Sequence, residues 1–127
     1  MDEASVTVLL QRLGESLSEG DFASVAQCFV VPAMVVSDDD AIVITDYPQI
    51  ETFFAQAAQW YHSQGVASTR PDIERSEALS DGVFSVDVRW PGFDEAGVEK
   101  LSERSRYIVR RDAGGRPRIQ VAMARTR

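Results

Sequence analysis

Residues 19–56 read EGDFASVAQCFVVPAMVVSDDDAIVITDYPQIETFFAQ. Two β-branched runs, AMVVS and AIVIT, stand around Asp38, Asp39 and Asp40, and both flanks have helical spacing. On the N-terminal side Gly20 ends one helix and Asp21 caps the next, in which Phe22, Val25, Ala26 and Phe29 share a face. Pro32 keeps that helix from continuing. On the C-terminal side Asp46 or Tyr47 caps a third helix, with Pro48 in its first turn; with Asp46 as the cap, Gln49 completes a capping box. The buried face of this helix is Ile50, Phe53, Phe54, Ala57 and Tyr61, and Gly65 closes it. A hairpin therefore sits between two helices. Its three adjacent carboxylates are expected to point into water rather than to hold a cation.

Upstream, Val6, Leu9, Leu10, Leu13 and Leu17 follow the spacing of one helical face. Downstream of Gly65 the period changes from helical to two. RPDIERSEALS reads as a strand, Asp81–Gly82 as its turn, and VFSVDVRW alternates cleanly, with Phe84, Val86, Val88 and Trp90 on one side. PGFDEAG is a loop, KLSERSRYIVRRD a long strand, AGGR a turn and RIQVAMART the last strand. Three helices around a hairpin, then four antiparallel strands, make an α+β chain, and 127 residues suit one domain spanning 1–127.

The composition excludes several classes. No run of eighteen apolar residues occurs, so no membrane helix is expected, and the acidic start does not resemble a signal peptide. The single cysteine, Cys28, cannot form an internal disulfide and reads as a buried thiol. Cytoplasm is the expected location. Net charge is −7, and residues 1–60 hold one base, Arg12, so general nucleic-acid binding is not expected. The basic residues of the second half are arginines, except for Lys100. One histidine, His62, argues against a His-rich metal site and reads as an exposed helix end. No glycine-rich phosphate loop, CxxC pattern or Ser-His-acid spacing is present. No metal and no cofactor is expected.

The stretches EGDFASVAQCF, DYPQIETFF and LSDGVFSVDVRW, with the element order, resemble the NTF2-like superfamily and more narrowly its SnoaL-like group. The resemblance implies a cone: three N-terminal helices lie on a curved, mostly antiparallel sheet, which wraps the long helix around an apolar pocket. Such proteins include isomerases, dehydratases, cyclases and epoxide hydrolases, and also noncatalytic binding and assembly modules, so fold does not decide function. Some of them carry a histidine after an arginine at the start of the third strand. Here Arg70 is followed by Pro71, which counts against a histidine-based dehydratase mechanism.

Strand parity selects the pocket residues. The side holding Phe84, Val86, Val88 and Trp90 points inward, and so does the phase Leu101, Glu103, Ser105, Tyr107 and Val109. In the last strand Ile119, Val121, Met123 and Arg125 form the inward phase, and after the long helix Ile73 and Leu79 favour a phase with Arg75 and Glu77. With Phe54, Trp60 and Tyr61 from the helix, the expected pocket residues are Phe54, Trp60, Tyr61, Arg75, Val88, Trp90, Ser105, Val121, Met123 and Arg125. Glu103 is the candidate base, because an apolar cavity raises a carboxyl pKa, and Tyr107 the candidate donor to a developing oxyanion. The alternative for Glu103 is an ion pair with Arg75 or Arg125. The two function classes are a cofactor-independent isomerase, dehydratase or cyclase acting on an apolar substrate, and a noncatalytic ligand-binding or dimeric assembly module. A deep open cavity with Glu103 and Tyr107 converging favours the first; one filled by Trp60, Trp90 and Met123 favours the second. A homodimer through the outer sheet face is expected, with Asp87, Arg89, Arg104, Arg106 and Ile108 on that face.

Overall fold

The structure, a computed structural model, describes residues 1–125. Helix α1 (Glu3–Glu19) starts at Asp2, whose carboxylate accepts from the Ser5 N–H at 2.9 Å, and ends at Gly20 with φ 70°. Helix α2 (Phe22–Gln27) is capped by Asp21. Phe29 lies outside it and begins strand β1 (Phe29–Val36), which runs through Pro32. Strand β2 (Ala41–Ile44) completes the hairpin. At its tip the Asp40 carboxylate accepts from the Ala41 N–H at 2.8 Å, and the described residues contain no cluster of groups able to hold a metal.

Helix α3 (Tyr47–Ser63) is capped by Asp46, which accepts from the Gln49 N–H. The Gln49 side chain reaches back one residue further than expected, accepting from the Thr45 N–H at 2.9 Å. Strands β3 (Ser68–Thr69), β4 (Asp72–Ser80), β5 (Val83–Phe93), β6 (Glu99–Arg111) and β7 (Pro117–Arg125) follow. The sheet order is β2-β1-β7-β6-β5-β3, with β4 also paired to β5. Among the described residues only β1 and β7 run parallel. The result is the expected α+β cone, three helices against one side of a mostly antiparallel sheet.

The core follows from the patterns above. Val6, Leu10 and Leu13 of α1, Val25 of α2, Phe29, and Val86, Val88, Val109 and Ile119 of the sheet are buried together in one cluster. Gly14 permits the close approach of α1: a Cβ there would stand 3.0 Å from Pro71 and 3.3 Å from the Trp90 ring. Cys28 is buried in this core, which pushes its thiol up to about 11, so it is an inert filler. No helix of the described residues is long and apolar enough to cross a membrane.

Register decides which side chains face the helices. Leu101, Glu103, Ser105, Tyr107 and Val109 pair with Gly92, Trp90, Val88, Val86 and Phe84, so the inward phase of β6 is the expected one. Two other strands change phase. In β7 Ile119 pairs with Val109, but Val121 pairs with Ile108, leaving Gln120 as an extra residue. Ala122 and Ala124 then face inward opposite Tyr107 and Ser105. Val121, Met123 and Arg125, expected inside, lie opposite Ile108, Arg106 and Arg104. In β4 Ile73 pairs with Val88, Glu74 is extra, and Arg75 and Glu77 fall opposite Asp87 and Ser85 on the outer side. An inserted residue inverts every side chain beyond it.

The outer side carries the charge. Arg106 grips Asp87 at 2.7 Å, Arg104 holds Glu74 at 3.1 Å, and Arg89 bridges Asp72 at 3.0 Å and Glu99 at 3.2 Å. Arg75 pairs with Glu77, and Arg125 lies between Glu74 and Asp87.

Candidate functional site

The apolar face of α3 is not closed against the sheet. Ile50 is fully buried, but Phe53, Phe54, Ala57, Ala58 and Tyr61 are only half-buried, because they border a cavity of about 290 Å³ between helix and sheet. The opposite wall comes from the inward residues Trp90, Leu101, Glu103, Ser105, Tyr107 and Ala122. Val35, paired with Ala122, and Leu17 and Ser18 of α1 close it further. The short β3 is stitched across one end: the Ser18 hydroxyl donates to the Thr69 carbonyl and accepts its N–H, and the Thr69 hydroxyl donates to the Pro91 carbonyl. These bonds satisfy the Ser18 and Thr69 hydroxyls on that wall.

Of the residues expected in the pocket, Phe54, Tyr61, Trp90, Ser105 and Met123 border the cavity, and Glu103 and Tyr107 do as well. Met123 does so from a position paired with Arg106. Trp60 does not: it is 53% exposed and stacks edge-on against Tyr61. One residue on a helix is a turn of about 100°, enough to carry Trp60 off the face that Phe54 and Tyr61 share. Val88 faces inward but is sealed in the core. Arg75, Val121 and Arg125 are outside, inverted by the two bulges. His62, read as an exposed helix end, is exposed and also borders the cavity mouth. Its place next to Tyr61 was the signal for this. Val66 to Thr69 were not picked out by the sequence, because a two-residue strand leaves no periodicity.

The polar groups of the cavity lie in a row. Glu103 stands at the mouth, exposed to solvent on its outer side, and accepts a hydrogen bond from the Tyr61 hydroxyl. Loss of solvent raises its carboxyl above the ordinary value of 4.5. It makes no ion pair with Arg75, Arg125 or any other arginine among the described residues. Ser105 follows two residues along the same side. Tyr107 is buried, accepts from the Trp90 indole N–H at 2.9 Å, and meets the Trp90 ring edge to face at 88°. Burial pushes its phenol up to about 12, with the Glu103 charge adding to the rise and hydrogen bonds from Ser105 and Trp90 opposing it. Tyr107 therefore stays protonated at neutral pH. Because its oxygen is already an acceptor for Trp90, its own proton is available as a donor. The row offers a carboxylate that gains from taking a proton and a neutral phenol that can stabilise negative charge on oxygen.

The sequence model of the family described as NTF2-like protein (DUF6841) matches residues 2–127. Among solved structures, the chain resembles an NTF-2 like protein of unknown function from Shewanella oneidensis, at 16% identity over 98% of each chain with a TM-score of 0.74. It also resembles a domain of unknown function with a cystatin-like fold from Nostoc punctiforme, at 13% identity over 99% of this chain and 77% of that one, TM-score 0.79. A third likeness is to Aln2 from a Streptomyces species, at 20% identity over 95% and 87%, TM-score 0.72. At such identities the likenesses establish the fold alone. No curated protein matches the chain.

Proposed function

Since the chain belongs to the NTF2-like proteins of the DUF6841 family and leaves a cavity between helix and sheet, we propose that its cone binds a small apolar molecule and performs cofactor-independent acid/base chemistry on it. The reaction class is isomerisation, dehydration or cyclisation. Glu103 takes up and returns a proton of the bound molecule, and the Tyr107 hydroxyl donates to the oxygen on which charge develops. The observation that carries this reading is the carboxyl of Glu103: it borders an apolar cavity with no cationic partner among the described residues, on the same side of one strand as Tyr107. The expected site of action is the cytoplasm.

The test is Glu103→Gln, which keeps the shape and removes the basic oxygen. Native mass spectrometry of the purified wild-type chain should reveal the bound molecule. The variant should bind it but slow its conversion by about 10²–10⁴-fold. The same variant reports on the pKa. Glu103 has a folded value above the unfolded one, so its favourable contribution is complete below about pH 4.5 and is lost as pH rises through the folded value. The Gln variant should therefore melt above the parent at pH 8 and together with it at pH 4. A Gln variant that melts lower at pH 8 and still turns over would overturn the assignment and leave a noncatalytic module.

The outer face is proposed to join two copies. Val43, Met34, Val121 and Ile108 stand side by side across β2, β1, β7 and β6, with Val43 and Met34 57% and 39% exposed. The charges beside this row are already paired within one chain, so two such faces meet without net repulsion. Light scattering at tens of micromolar should give twice 14.1 kDa, about 28 kDa. Met34→Asp with Val43→Asp should return it to 14.1 kDa. A wild-type monomer at that concentration refutes the dimer.

A further inference from the structure

The cavity wall is uneven in charge. Among the described residues, Glu103 is the only acid on its wall, and no arginine or lysine joins it there; His62 stands at the mouth. The arginines of this arginine-rich half are held elsewhere: Arg75, Arg89, Arg104, Arg106 and Arg125 are engaged by acids on the outer face. Arg70 lies over the Phe93 ring at 4.7 Å, and Arg118 is tied to Asp112 at 3.1 Å. Lys100 is paired with Asp94 and does not border the cavity. An anionic ligand would find no arginine or lysine to meet it and one carboxylate to repel it.

The walls near that carboxylate suit a cation. Tyr61 and Trp90 border the cavity beside Glu103, one hydrogen-bonded to it and the other directly opposite it on β5. Aromatic faces attract ammonium groups, most strongly where water is thinned. The chain as a whole carries −7, which concentrates cations around the mouth. A neutral ligand would leave the Glu103 charge uncompensated on its desolvated side.

We infer that the molecule held in the cone carries a basic nitrogen, bound as its cation against Glu103, with the rest of its apolar body between Phe53, Phe54 and the sheet. This rests on the reading of the cavity as a small-molecule site, and it identifies the proton that Glu103 handles as one on nitrogen. Tyr107, deeper on the same strand, then meets a hydrogen-bond acceptor at the other end of the molecule. The substrate class is a compact apolar amine with an oxygen acceptor, and carboxylates and phosphates are excluded.

Three probes of one shape test the inference: 2-naphthylmethylamine, 2-naphthylmethanol and 2-naphthoate, titrated calorimetrically into the full chain at pH 8 and low salt. The amine should bind about ten-fold more tightly than the alcohol, and the naphthoate about ten-fold more weakly than it. In Glu103→Gln the amine should fall to the affinity of the alcohol, whose own affinity stays put. Naphthoate binding as well as the amine, or an amine preference that survives in Glu103→Gln, overturns the inference. If the alcohol binds and the amine gains nothing over it, the charge selection falls while the cavity reading stands. If none of the three binds, both fall.

Discussion

Trp90→Ala is expected to lose about 3–5 kcal/mol of stability, the largest effect of any single truncation at the site. Trp90 is 8% exposed, it touches the position that Gly14 keeps free of a side chain, and its indole N–H is hydrogen-bonded to Tyr107. Truncation joins the space of the ring to the existing cavity, and α1 cannot collapse into it while Pro71 remains wedged against Gly14. It also strips a buried hydroxyl of its donor. Trp90→Phe separates the two contributions. It keeps most of the ring and loses the N–H, so it should cost about 1–2 kcal/mol. Urea melts of the three proteins measure both. A loss below about 1 kcal/mol for Trp90→Ala would mean that the ring does not fill the space it occupies here.

Asp87→Ala is expected to lose about 2–3 kcal/mol at neutral pH. Asp87 lies on the outer side of β5, yet its side chain is only 9% exposed, covered by Arg106 and approached by Arg125. The loss is below that for a fully buried pair because the Arg106 side chain is 44% exposed and can be rehydrated. Arg125 is worse placed: without Asp87 it keeps, among the described residues, only Glu74, at 3.7 Å. The hydrogen bond from Arg106 holds the Asp87 carboxyl below its ordinary value of 3.8. A depressed folded value contributes stability that is present above the unfolded pKa and disappears as pH falls through the folded one. Parent and variant should thus differ clearly in thermal melts at pH 7, begin to converge near pH 3.8 and coincide once pH falls below the depressed folded value. A difference that persists unchanged in acid would point to packing rather than charge as the role of Asp87.

How much of this was legible in the sequence depended on how far apolar and polar residues contrast. In β5 the inward residues Phe84, Val86, Val88 and Trp90 alternate with Ser85, Asp87 and Arg89, and the phase could not be misread. In β7 the alternatives were Val121 and Met123 against Ala122 and Ala124, all apolar, so pattern could not locate the extra residue at Gln120. In β4 the apolar residues Ile73 and Leu79 share parity, but bulges at Glu74 and Leu79 intervene, and Leu79 ends 54% exposed. Bulges are properties of pairing between strands, not of one strand's composition. For that reason Glu103 and Tyr107, on a strand without a phase change among positions 101–107, fell where parity put them, whereas Arg75 and Arg125 did not. Trp60 was misplaced for a simpler reason: a helix face about 100° wide has edges, and an aromatic residue beside the edge looks like a member of the face.

The pairing of β1 with β7 has a temporal side. Residues 29–36 find their partner beyond the hairpin at residues 117–125, with Phe29 opposite Ile119, 90 positions later. During synthesis, at about 5–20 residues per second, the helices and hairpin must therefore wait several seconds before β7 emerges to receive them. Until then β1 keeps an unpaired edge rich in valine, beside the exposed Ile42 and Val43 of its hairpin partner. Closing so long a loop makes folding slow for a chain of this size. The aspartates at positions 38–40 sit at the tip of that waiting edge, where their charge discourages nascent chains from adding strand to strand. The hairpin between two helices would thus protect the protein before it is finished.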